Sequence, residues 1–134
     1  MTTIYKAGGV KSDTPVGFRI ASADVTSATR TVLMDGNGQP FVVSVGKTFY
    51  IGTIVASSTY SMGGVWLYYD DDGAGTNEKL ICVVPYVWFD SNVKGPGSQY
   101  TIECVIPVPS GKHLTGKSAF PAIYQAVFVG GQEI

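Results

Sequence analysis

From Phe41 onward, short apolar runs alternate with glycine, proline, asparagine and aspartate at nearly regular intervals. Residues 41–45 are apolar and stop at Gly46. Residues 48–57 predict a long strand, with Phe49, Ile51 and Thr53 on one face and Tyr50, Ile54 and Ala56 on the other. Gly63-Gly64 leads into a strand over 65–69, and residues 70–75 turn the chain again. The run 79–89 is apolar on both faces around Pro85, which argues for an edge strand or a break. After the loop Gly95-Pro96-Gly97 come a strand over 100–108, a short segment over 113–118 and a last strand over 122–129. Upstream, 16–20 and 29–34 read as strand, and Asp35-Gly36-Asn37-Gly38 is a hairpin signal because these residues tolerate positive φ.

About eight or nine strands at ~8–12-residue spacing predict a sandwich or barrel. No window carries the i, i+3, i+4 periodicity of a helix, so the sheet must pack on another sheet. The expected fold is all-β, an antiparallel β-sandwich of jelly-roll type with little or no helix. Residues 1–28, polar and broken by Gly8-Gly9 and Pro15, are expected as an extended N-terminal arm, and 29–134 as the single sandwich domain. Gly46-Lys47 and Gly111-Lys112 each precede a strand, which suggests similar corners in the two halves.

Composition sharpens the β reading. Val and Ile number 26 against 4 Leu and 3 Met, and β-branched side chains suit a pleated surface. Charged residues are 14% of the chain, below the usual ~25%, so Ser, Thr and Gly must build much of the polar surface. Such a surface repels like subunits little and suits an assembly. A net charge of −1 gives no electrostatic case for nucleic acid or an anionic membrane. No apolar leader or ~20-residue apolar span is present, so synthesis in the cytoplasm without a signal peptide is expected.

Motifs for chemistry are weak. Gly111-Lys112-His113-Leu114-Thr115-Gly116-Lys117-Ser118 matches the G-x-x-x-x-G-K-S/T phosphate loop, but the residues after it read as strand where that loop needs a helix. Asp70-Asp71-Asp72 offers clustered carboxylates, yet an EF-hand register fails, and a solvated hairpin tip explains them. His113 is the single histidine and has no nucleophile elbow to serve. Cys82 and Cys104 lie in apolar runs, either as buried thiols or as a disulfide between facing strands, and are too few for a thiolate zinc cage. No enzyme, catalytic residue, cofactor, metal or small-molecule substrate is expected. Trp66, Tyr69 and Trp88 are candidate exposed aromatics, with core packing the plainer explanation for each tryptophan.

The runs GKTFYIGTIVASS (46–58), GVWLYYD (64–70), IPVPSGKHLTG (106–116) and AVFVGG (126–131) resemble small jelly-roll virion proteins of tailed bacteriophages. That group includes capsid decoration (cement) proteins, head fibres and tail receptor-binding domains. The resemblance spans about residues 41–131 and implies a homotrimer on the outer surface of a phage head, with the major capsid protein as partner. The candidate interface residues are Tyr5, Lys6, Val10, Phe18, Arg19 and Arg30, in or next to the expected arm. The alternative is a receptor- or carbohydrate-binding module of a tail or head fibre, with exposed aromatics in a groove.

Overall fold

A computed structural model describes residues 4–5, 11–12, 17–26, 28–58, 64–85, 98–118 and 125–134. The strands, in chain order, are β1 (Ile4–Tyr5), β2 (Lys11–Ser12), β3 (Phe18–Asp24), β4 (Thr31–Val32), β5 (Phe49–Ser58), β6 (Gly64–Asp70), β7 (Lys79–Pro85), β8 (Ser98–Val108), β9 (His113–Ser118) and β10 (Gln125–Glu133). No helix occurs among the described residues. Among the described residues, β1 and β2 pair with each other and with no other strand. The other strands form two antiparallel sheets, ordered β3-β10-β5-β8 (the β5 sheet) and β4-β9-β6-β7 (the β6 sheet). β3 lies beside β10, β4 beside β9, β5 beside β8 and β6 beside β7. That is a long hairpin rolled on itself, the jelly roll.

Three differences from the sequence reading have physical causes. β3 falls within the expected arm, yet it pairs along its whole length with β10 and buries Ala21. The sandwich therefore starts at Phe18, not Thr29; small residues at Ala21, Ser22 and Ala23 hid the strand. Residues 41–45 form no regular strand. Phe41 and Val43 are nonetheless buried, held by backbone bonds from Phe41 N to Leu33 O (2.9 Å) and from Val43 N to Lys112 O (3.0 Å). Third, Ile54 and Ala56 point inward with Phe49 and Ile51, although simple alternation opposes them. The register of β5 with β8 shifts between Ile51 and Thr53, and a bulge at Gly52 reverses the side-chain parity. Pro85 is the last described residue of β7, which lies at a sheet edge, where a missing N–H is tolerated.

The core lies between the sheets, with Leu33, Phe41, Phe49, Ile51, Ile54, Leu67 and Leu114 among its fully buried side chains. The rings of Phe41 and Phe49 meet at 4.8 Å with a tilted geometry. Polar ties close both ends of β10. Gln125 donates to Ser118 Oγ and accepts from Gly64 N (2.8 Å), joining the two sheets. Glu133 accepts from Arg19 (2.8 Å) and from Ser44 N (3.1 Å). Burial pushes the Glu133 carboxyl up, but the Ser44 bonds and the Arg19 charge outweigh it and hold its pKa below the ordinary value. The two Gly-Lys corners sit side by side, with Gly46 N bonded to Ser110 Oγ (2.9 Å) and Gly111 N to Val43 O (2.9 Å). Gly46 and Gly111 both take positive φ, which explains the shared glycine.

Candidate docking face

The outer face of the β5 sheet carries apolar residues around a trough. Gln132 pairs with both Phe18 and Tyr50, so these three share the outward face. Phe128 points the same way two pleats along, and Val105 stands out from β8. Phe18 is 61% exposed, Val105 78% and Ile134 67%, so these are open contact surface. Between them lies a trough of about 590 Å³, with Gly52, Gly130 and Gly131 in its lining.

The trough follows from an irregularity that crosses three strands. β10 shifts register between Gly130 and Gly131, and β5 shifts against β8 between Ile51 and Thr53. At these positions the lining lacks side chains, so the backbone itself is the floor. A Cβ on Gly131 would collide with the Tyr50 carbonyl oxygen and lie 2.9 Å from the Phe49 ring. Glycine is therefore required there by close approach.

The outer face of the β6 sheet is different. The segment after β6 folds back over β9 and β4, with Gly73 lying against Val32 and His113. Asp70, fully buried, accepts from Gly73 N (2.5 Å) and Gly75 N (2.8 Å) and faces Arg30 Nε at 3.6 Å. Asp71 bonds Lys112 and Asn77, and these bonds hold its carboxyl below the usual range. Asp72 accepts from Thr76 Oγ1 (2.6 Å) and Ala74 N (2.8 Å) and is lowered for the same reason. Each of the three carboxylates is thus taken up by this loop and its neighbours. Glu78 bonds Arg30 and also Lys117 (3.2 Å), and the Arg30 bond leads in lowering its pKa. Lys117 lies 4.7 Å from the centre of the Tyr68 ring, which it helps to cover.

The phosphate-loop match resolves into a turn and a strand. Gly111 makes the turn, β9 takes His113–Ser118, and Gly116 is buried where a Cβ would press on Val25 at 3.2 Å. Lys117, the residue that would reach a phosphate, is committed to Glu78 and Tyr68.

Of the candidate interface residues among those described, Phe18 alone lines the trough. Arg19 turns to the inner side, donating to Val42 O (2.7 Å) and Glu133 and lying 4.2 Å over the Phe41 ring. Arg30 binds Ala74 O (2.9 Å) and Glu78, so it latches the loop. Tyr5 lies in β1, and Lys6 and Val10 lie outside the described residues. Trp66 is 43% exposed, opposite Val83 on β7. Tyr69 is not an outward aromatic; it shares the inner face with Leu67 and packs against the core. Trp88 lies outside the described residues. Sequence reasoning missed Tyr50, Val105, Phe128 and Ile134. The available signal was glycine inside strands, at Gly52 and Gly130-Gly131, which marks bulges and close backbone approach.

No family model and no curated protein matches the chain. Among solved structures it is similar to dimeric latent PorU from Porphyromonas gingivalis, with a TM-score of 0.38 and 14% identity over 98% of this chain and 14% of that one. A likeness at that level carries no argument about fold or function.

Proposed function

We propose that the chain is a non-enzymatic virion structural protein of capsid-decoration type, docking on a protein shell and on copies of itself through the outer face of the β5 sheet. The observation that supports this is the trough with its apolar rim, where Phe18, Val105 and Ile134 stand more than half exposed. An apolar patch around a concave floor seats a side chain of a protein partner. The charged groups of the opposite face are committed to one another, which fits a protein recognised by shape and apolar contact. Jelly rolls serve many functions, so the docking face, not the roll, carries the reading.

The test is light scattering followed by co-sedimentation with empty tailed-phage heads. A trimer that saturates heads is expected. Phe18→Ser with Val105→Ser should keep the circular dichroism spectrum and weaken sedimentation at least ~tenfold, about 1.4 kcal/mol. A monomer that ignores heads sinks the reading. The outward Trp66 beside Val83 favours a second reading, a sugar-binding fibre module. Glycan-array binding that Trp66→Ala abolishes would establish it instead.

A further inference from the structure

The two cysteines lie on the two strands that close one side of the sandwich. β7 ends the β6 sheet and β8 ends the β5 sheet, and Cα atoms of the two strands come within 8 Å of each other. At those points the two sheet edges stand closer than the ~10 Å usual between packed sheets. Cys82 pairs with Leu67, whose side chain is in the core, and so its thiol shares that inner face. Cys104 alternates with Ile102 and Ile106, all three packed against the core, and its Sγ donates to the Ile51 carbonyl at 3.6 Å. Both thiols are free in this structure.

We propose that Cys82 and Cys104 are an oxidation site at which a dialkyl disulfide of the glutathione class joins the two sheets by a disulfide bond. The bond needs Cα atoms about 4.4–6.8 Å apart, so closure requires the two edge strands to meet that distance at these two positions. Burial pushes the Cys82 thiol up to about 11, with a smaller contribution from charge on Cys104. Burial raises Cys104 as well.

In the first step one cysteine thiolate attacks a sulfur of the small disulfide, forming a mixed disulfide and expelling one small thiolate. The second cysteine, deprotonated, attacks the protein sulfur of that mixed disulfide and expels the other small thiolate. The protein loses two hydrogens, and the two expelled thiolates end as thiols. The small disulfide is reduced by two electrons and the protein is oxidised by two. Because the attacking thiolates are scarce at neutral pH, closure should speed up about tenfold per pH unit between roughly pH 7 and 9. The inference stands apart from the docking reading, since it concerns the side of the sandwich and not its outer face.

The test incubates the full folded chain with oxidised glutathione near pH ~8.5, then applies intact mass, non-reducing peptide mapping and thermal unfolding. The expected product is monomeric, two hydrogens lighter, and contains one cross-link between β7 and β8. Its Tm should rise on the order of 10 °C, reversibly with dithiothreitol. Cys82→Ser should stop at glutathione on Cys104 and show no rise. Wild-type chains that keep both thiols, carry glutathione on either one or form covalent dimers overturn the proposal. Peptide mapping of the wild-type chain separates these outcomes even where the variant does not fold.

Discussion

The outer faces of the two sheets have the same pleat but different coverings. On the β6 sheet, the Asp70–Glu78 loop lies back over β9 and β4, with Asp70, Glu78, Arg30 and Lys117 binding it down. On the β5 sheet, glycines lie where the strands bulge, and Phe18, Tyr50, Val105 and Phe128 stand around them. Charge on the first face is spent inside the molecule over β9 and β4, although Trp66, Leu80 and Val83 stay exposed on β6 and β7. On the second face the exposed apolar side chains surround a trough. In a protein with few charges, partners are thus to be sought on apolar surface that its own loops leave bare, and the trough gives such surface a concave floor.

The largest effect is expected from the latch. Asp70→Ala strips two backbone amides and Arg30 of a buried partner, so it should lower unfolding free energy by about 3 kcal/mol in urea titration. A loss under ~1 kcal/mol would mean that the loop is held without Asp70. Next comes the trough floor. Gly131→Ala should cost about 2 kcal/mol, because the new methyl meets the Tyr50 carbonyl and the Phe49 ring. An unchanged midpoint would show that β10 and β5 tolerate separation there.

Acid should separate the faces as well. Bonds from Arg30, Lys112 and Thr76 hold Glu78, Asp71 and Asp72 below their ordinary values, so their support is full at neutral pH and fades as pH falls below ~4. Hydrogen-exchange protection at Ala74 and Thr76, whose N–H groups bond Asp72, should fall between about pH 5 and 3 once intrinsic rates are corrected for, before β5 and β10 respond. Simultaneous opening of both sheets would deny the loop its separate role. The smallest effect belongs to Lys117→Met, which removes one partly exposed ion pair and a ring contact. Its expected cost is about 0.5–1 kcal/mol, reduced by salt.

Some of this was legible in the chain. Val and Ile dominance, turn glycines and the proline in β7 pointed to strands, edges and corners through local backbone preference. Trp66 was named as an exposed aromatic and stands outward, whereas Tyr69, named with it, packs against the core beside Leu67. Phe18 was named as an interface residue, but on an expected arm and not on a strand of the sandwich. Arg19 and Arg30 show the limit most clearly. Both sit in the same polar segment and look alike as free surface charges, yet Glu133 takes one and Glu78 the other. Those partners lie 114 and 48 positions away, beyond any local pattern.

Strand vocabulary, the absence of helical periodicity and the turn positions are written in the chain itself, because they depend on residues only a few positions apart. Which strands pair, where the bulges at Gly52 and Gly130-Gly131 line up, and so which face stays bare, are settled only by packing. A one-residue shift in register exchanges the two faces of a strand. Register across β3, β10, β5 and β8 is a joint property of segments more than 100 positions apart, such as Phe18 with Gln132. The docking trough exists only once those segments meet.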